Sequence, residues 1–173
     1  MTSQVSALDE AIAEIRLNPE TRKIADISFF RRDLRFKCQR CAVFCCKLGG
    51  PRLSEVDTER LRRAGCEPMD FLDVATERRS ELENAGGFAM KQREDGSCVF
   101  LECGNVGKTY SCSVYESRPA LCRLYPFEFK RTGLNTVLLR VIPCCKGLNA
   151  CDGALVDRGF VEKRLLGVIL DLF

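Results

Sequence analysis

The chain has 173 residues, 46% of them hydrophobic and 29% charged, with a formal charge of +3. These values exclude a disordered or low-complexity chain and fit a globular one long enough for a real core. Twelve cysteines and no histidine are the unusual counts. Without histidine there is no Ser-His-Asp triad, no Cys-His nucleophile pair and no His-ligated zinc or haem, so a metal would be held by sulfur or carboxylate.

Taken in chain order, Leu8, Ala11, Ile12 and Ile15 recur at helical spacing, which predicts an amphipathic helix over 3–17. Pro19 and Glu20 then suit the opening of a second, short helix. This N-terminus lacks the basic and apolar regions of a signal peptide. Residues 28–37 lead, in extended form, into "KCQRCAVFCC", and Gly49, Gly50 and Pro51 close that segment with a turn. Ser54 followed by Asp57 resembles a capping box and predicts a helix facing inward through Val56, Leu61 and Ala64 and stopped by Gly65. Pro68 predicts another helix to about residue 83. Phe88–Lys91 and Cys98–Leu101 suit short extended segments around a turn at Asp95-Gly96. A short helix follows near Pro119–Leu124, with an exit at Pro126, and "NTVLLRVIP" is the best strand in the chain. In the tail, Val161, Leu165, Val168, Ile169 and Leu172 form the inner face of a helix, widened by Leu166, Leu170 and Phe173. The resulting expectation is a small α+β single domain over 1–173, mostly helical, in which cysteine-bearing loops converge.

The longest apolar run, "LLGVIL", is too short to span a bilayer. The chain therefore reads as cytoplasmic, a setting in which clustered cysteines are metal ligands more often than disulfides. Cys38-x2-Cys41 suits one metal, because a two-residue gap lets both sulfurs converge. Cys45 and Cys46 are adjacent, and neighbouring side chains diverge, so they serve two sites or one of them is structural. The run matches neither the bacterial ferredoxin spacing nor a lone thioredoxin-type pair. Arg31, Arg32, Arg35, Lys37 and Arg40 beside these thiols read as charge compensation rather than a nucleic-acid patch. "CGNVGKTYS" lacks the first glycine of a phosphate loop at the needed spacing.

The segments "FKCQRCAVFCC", "SCVFLE", "CSVYESRPALCRLYPFEF" and "CCKGLNACDG" together resemble the YkgJ-type cysteine-cluster family of zinc- or iron-chelating domains, over about residues 36–153. The third block is the most specific, with Cys112, Tyr115, Arg118, Pro119, Cys122, Arg123, Tyr125, Pro126 and Phe127 all in place. The chain departs from the pattern where three residues, not two, separate Cys41 from the adjacent pair. The resemblance implies metal ligation by Cys38, Cys41, Cys45, Cys46, Cys98, Cys112, Cys122 and Cys145, enough for two four-thiolate sites. Cys103 and Cys151 stand in reserve, and Cys66 reads as a small buried hydrophobe. Arg118 and Arg123 either donate to cofactor sulfur or form fold-stabilising ion pairs.

Sulfur-only ligation suits zinc and iron–sulfur alike. Ligands from four separate segments, the absence of histidine and nearby aromatics favour one or two [4Fe–4S] clusters. The expected role is electron transfer, or an accessory subunit of a redox assembly with a protein partner. Zinc in a structural or interaction module is the alternative.

Overall fold

A computed structural model describes residues 11–73, 88–104 and 110–172. Leu8, the continuation of the Pro68 helix beyond residue 73, most of the phosphate-loop-like stretch, the side chain of Leu172 and Phe173 lie outside the described residues. The chain divides into two compact units, Met1–Gln39 with Leu124–Phe173, and Arg40–Arg123.

The first unit is built on a four-stranded antiparallel sheet of order β2-β1-β10-β9, from Ala11–Asn18 (β1), Lys23–Phe29 (β2), Phe127–Arg131 (β9) and Thr136–Val141 (β10). Strand β1 stands where a helix is expected. Its apolar residues satisfy both periods, but Ala13, Ile15 and Leu17 are buried while Glu14 and Arg16 are exposed, the alternation of a strand. Pairing with β2 on one side and β10 on the other outweighs the helix propensity of Ala and Glu. Pro19 and Glu20 open no helix either. The Asn18 side chain accepts from the amides of Glu20 and Thr21 at 2.9 Å each, and Arg22 adopts φ 53°, which makes a tight β1–β2 turn.

Strand β10 is where the sequence puts it, with Val137, Leu139 and Val141 buried. The tail is helical as expected, through Arg158–Phe160 (α4), a π-helical stretch Val161–Leu165 and Leu166–Leu172 (α5). Val161, Leu165, Val168 and Ile169 are buried. Asp157 caps the start by accepting from Phe160 N–H at 2.8 Å. Two arginines tie this helix to the sheet, Arg158 donating to Ile24 O at 3.2 Å and Arg22 to Leu170 O at 3.4 Å. Phe36, Phe127 and Phe160 pack edge to face at centroid separations of 5.5–6.4 Å. A two-stranded ladder of Arg35–Phe36 (β3) and Ala154–Leu155 (β11) completes the unit.

In the second unit, Arg52–Leu53 (β4), Leu72–Asp73 (β5) and Phe88–Met90 (β6) form a small antiparallel sheet of order β4-β6-β5. Leu101–Cys103 (β7) pairs with Tyr110–Cys112 (β8). Helix α1 spans Glu55–Arg63, and its capping box is complete, with Ser54 Oγ accepting from Asp57 N and Asp57 Oδ2 accepting from Ser54 N. Gly65 ends it at φ 86°. Its inward residues are Asp57 and Leu61, whereas Val56 and Ala64 are exposed. The Pro68 helix (α2) stops at Phe71 and runs directly into β5. Ala42, Leu53, Leu61, Phe71, Met90, Cys98 and Leu101 make the core, with Cys46 and Cys66 packed against it.

The chain is therefore not mostly helical. Among the described residues eleven strands make four antiparallel sheets. Many of these strands have only two or three residues, too short for a period-2 pattern to be read. No helix among the described residues is long and apolar enough to cross a membrane.

Candidate metal centre

Five cysteines of the second unit come from four stretches of chain. Positive φ at Arg40 (49°) and Ala42 (55°) winds the first stretch tightly. The amides of Cys46 and Lys47 both donate to Ala42 O, at 3.3 and 2.9 Å. Cys45 and Cys46 consequently sit with their sulfurs 3.7 Å apart, the Cys46 thiol donating. Cys98 N–H donates to Cys46 O at 2.8 Å, which fixes the second stretch against the first. The buried Cys98 thiol donates in turn to Met90 Sδ at 3.3 Å. Gly50 makes room for that methionine, since a Cβ there would lie 2.8 Å from the Cβ of Met90.

Leu101, three residues on, donates its amide to Cys98 O at 3.0 Å and pairs across the ladder with Cys112. Cys122 lies on the short helix Ala120–Leu124 (α3). The Ala120 amide at its start donates to Asp57 Oδ1 at 2.8 Å. One buried carboxylate thus caps α1 through its own capping box and also receives the first amide of the helix that carries Cys122.

The thiols feel one another's charge. Cys45 is lowered to about 7, first by the hydrogen bond from Cys46, against the effect of burial, and with help from Arg118. Cys46 is pushed up by that same bond and by burial, and further by Cys45, Cys98 and Cys122. Burial raises Cys98 and Cys112. It pushes Cys122 up to about 12, with Cys98 and Cys112 adding to the rise. Arg118 opposes the rise at both Cys112 and Cys122, so its positive charge is felt by both thiols. Tyr115 holds that guanidinium, accepting from Arg118 Nε through its carbonyl at 2.8 Å and lying under it at 3.6 Å from ring centroid to carbon. Arg40 approaches the same ring at 5.7 Å.

These thiols cannot ionise together without a cation among them. Among the described residues no group of three or more Cys, Asp or Glu side chains is placed so that it could hold a metal ion as it stands. The donor chemistry nonetheless fits a thiophilic metal. The sulfurs are half-buried or buried, mutually coupled, and associated with an arginine that offsets thiolate charge.

A pH dependence follows. The Cys122 thiol is raised in the folded chain from an ordinary value of 9.0 to about 12. Its burial as a neutral thiol is therefore stabilising at pH values below the unfolded-state value, and that stabilisation is lost as pH rises toward the folded value. Reduced, chelator-treated protein is expected to lose about 2 kcal/mol of unfolding free energy between about pH 8.5 and about pH 10.5. Metal-loaded protein, whose ligating thiols are already deprotonated, should lose much less. Urea titrations of both forms at the two pH values measure the difference. Equal losses would contradict a metal bound at Cys122.

The remaining predicted residues are distributed as follows. Cys41, half-buried, and Cys103, exposed, both bear on Lys47, whose ammonium lies 4.1 Å from the Tyr110 ring centroid. Cys38 and Cys145 belong to the first unit, as do Cys144 and Cys151. Arg123 lies on α3 beside Cys122, its amide donating to Pro119 O at 3.0 Å. Cys66 packs against the core of the second unit, and burial raises its thiol. Sequence reasoning does not see the second role of Asp57 or the place of Met90. The capping-box spacing marks the first half of the Asp57 role, and nothing in the sequence marks Met90.

A family model described as "CxxCxxCC: Putative zinc- or iron-chelating domain" matches residues 37–141. The uncharacterized protein MJ0661 of Methanocaldococcus jannaschii is 30% identical over 137 residues, spanning 77% of this chain and 69% of that protein. No solved structure matches.

Proposed function

Because the chain belongs to the CxxCxxCC family of zinc- or iron-chelating domains, we propose that it is an iron–sulfur protein, holding a centre of the [4Fe–4S] class and passing single electrons to a protein partner in a redox assembly. The observation that carries this reading is the origin of the sulfurs. Thiols from four separate stretches act on one another's ionisation, and Cys98 and Cys46 lie in or against the apolar core, in a chain with no histidine to complete a mixed zinc set. Cys98, Cys112 and Cys122, with one of the adjacent pair Cys45 and Cys46, are the ligands proposed for this centre. Cys38 and Cys145 of the first unit, and Cys41 of the second, stand outside this proposed centre.

When bound, such a cluster supplies one-electron chemistry at sulfur-ligated iron. The residues around it set its potential. Burial of Cys98 and packing of Cys46 against the core exclude water. Arg118 places a positive charge beside the sulfurs and favours the more negative, reduced state. Phe44, Leu48, Tyr115 and Leu121 are exposed within a few residues of the proposed ligands in sequence, and Arg40 and Lys47 are exposed near them in sequence. Exposed apolar side chains with basic neighbours in sequence suit a partner that offers apolar and acidic groups.

Anaerobic purification with joint quantification of iron, zinc and acid-labile sulfide tests this. Brown protein with iron and sulfide in similar amounts, bleached by dithionite, is expected. Colourless protein carrying only zinc would overturn the redox reading and leave a metal-stapled module.

A further inference from the structure

We infer that the outer edge of strand β9 pairs with the same strand of a second copy of this chain, joining two four-stranded sheets about a two-fold axis at Phe129. The inference rests neither on the metal centre nor on the proposed redox role.

Strand β9 ends the sheet of order β2-β1-β10-β9, so one side of Phe127–Arg131 faces no strand of the sheet. Thr132 N–H donates to Thr136 O at 3.0 Å, and Ile142 N–H donates to Pro126 O at 2.8 Å. Bonded and non-bonded residues alternate along an antiparallel pair, so Glu128 and Lys130 direct their backbone groups to β10. The N–H and C=O groups of Phe127 and Phe129 therefore point away from the sheet, a template for another strand. Among the described residues no backbone group of another element bonds to them. The opposite edge differs, because Arg158 of the tail helix donates to Ile24 O of β2 at 3.2 Å.

The sequence Phe127-Glu128-Phe129-Lys130-Arg131 selects its own copy as the strand that fits. In the antiparallel arrangement with Phe129 opposite Phe129, the two residues exchange both backbone hydrogen bonds, as their outward groups require. Glu128 then stands opposite Lys130 of the second copy, twice by symmetry. These are non-hydrogen-bonded positions, where Cα atoms come to about 4.5 Å and side chains are closest. A two-residue shift would set Lys130 against Lys130 or Glu128 against Glu128, like charges that repel. A one-residue shift would oppose outward groups to inward ones. Lys130 is exposed, and Glu128 and Phe129 are half-buried. Arg140 Nη1 already meets one oxygen of Glu128 at 3.0 Å, and the lysine of the second copy would take the other.

A five-residue strand buries little area, so a dissociation constant in the micromolar range or weaker is expected. The test is sedimentation velocity of the full chain, purified anaerobically and kept under reductant so that no disulfide joins copies, at low salt and from micromolar to near-millimolar concentration. Wild type should show a monomer–dimer equilibrium. Lys130→Glu opposes two carboxylates and Glu128→Lys opposes two ammonium groups, so each variant alone should dimerise about tenfold more weakly or worse. Mixed in equal amounts the two variants are complementary at both pairs, and a heterodimer of wild-type affinity should return. Phe129→Pro, which removes an outward N–H and none of the bonds to β10, should also abolish the dimer. Circular dichroism and urea midpoints check the fold of each variant, Glu128→Lys in particular because it loses the pair with Arg140. Single variants that dimerise as tightly as wild type, or a mixture that stays monomeric, overturn the inference. Wild type that stays monomeric at near-millimolar concentration also overturns it, and leaves this edge to a strand of a different protein.

Discussion

Replacing Asp57 with alanine is expected to cost about 3–5 kcal/mol, the largest stability loss of any single polar substitution in the second unit. The Asp57 side chain is 2% exposed and serves four donors. Ser54 supplies its amide and hydroxyl, Arg60 its guanidinium at 3.1 Å, and Ala120 its amide at 2.8 Å. Alanine would leave all four without this acceptor, and would take one anionic partner from the half-buried Arg60. Loss of an ordinary cap costs about 1 kcal/mol. The excess would come from the buried amide at the start of α3 and from the lost Ser54 and Arg60 contacts. Asp57→Asn keeps an oxygen acceptor but loses the charge, and should fall between the two. Urea midpoints of the three proteins, with unchanged slopes, measure this. Because α3 carries Cys122, Asp57→Ala should also weaken metal retention beyond what its lower stability explains. Asp57→Ala within 1 kcal/mol of wild type would mean that the carboxylate does not organise the unit.

The cysteine-bearing blocks were legible because ligand chemistry is local. A Cys-x2-Cys spacing, an adjacent pair and the Arg-Pro-x2-Cys-Arg block can each be read from a few residues. The helices at Ser54, Pro119 and the tail were legible through caps and apolar spacing, and β10 through its β-branched run. Strand β1 was not. Its Ala, Ile, Glu and Arg residues have good helix propensity as a set, and pairing with β2 and with β10, the latter more than a hundred residues away in sequence, decides for the strand. Similarly, the two-residue strands β3, β4, β5 and β11 have no sequence period of their own and are specified by their partners. Val56 illustrates the reverse error. It is apolar at a plausible helical position, yet α1 turns Asp57 inward and leaves Val56 52% exposed, because the buried face of this helix is used to anchor another helix.

On the proposed reading, Cys122→Ser should reduce bound iron by at least about tenfold, since even a residue that only orients a ligand costs 10–100-fold in metal affinity. Cys66→Ser should leave it unchanged. Both side chains are partly buried cysteines of the same unit, and both thiols are raised by burial, so thiol burial alone does not distinguish them. Their neighbours do. Cys122 is raised further by Cys98 and Cys112, whereas among the described residues the charged group that raises Cys66 is Asp70. Cys66 is fixed by the end of α1, its amide donating to Leu61 O at 3.1 Å, and it packs against the core as a small apolar group. Serine there should cost no more than about 1–2 kcal/mol from a poorly matched hydroxyl, with iron and sulfide retained. At position 122 serine removes a sulfur that neither Cys45 nor Cys46 replaces without moving the loop pinned by Cys98 N–H. Iron and sulfide assays on both variants, alongside urea midpoints, separate loss of a ligand from loss of the fold. If Cys66→Ser sheds as much iron as Cys122→Ser, the sulfurs that converge in the second unit are not the ones that hold its metal.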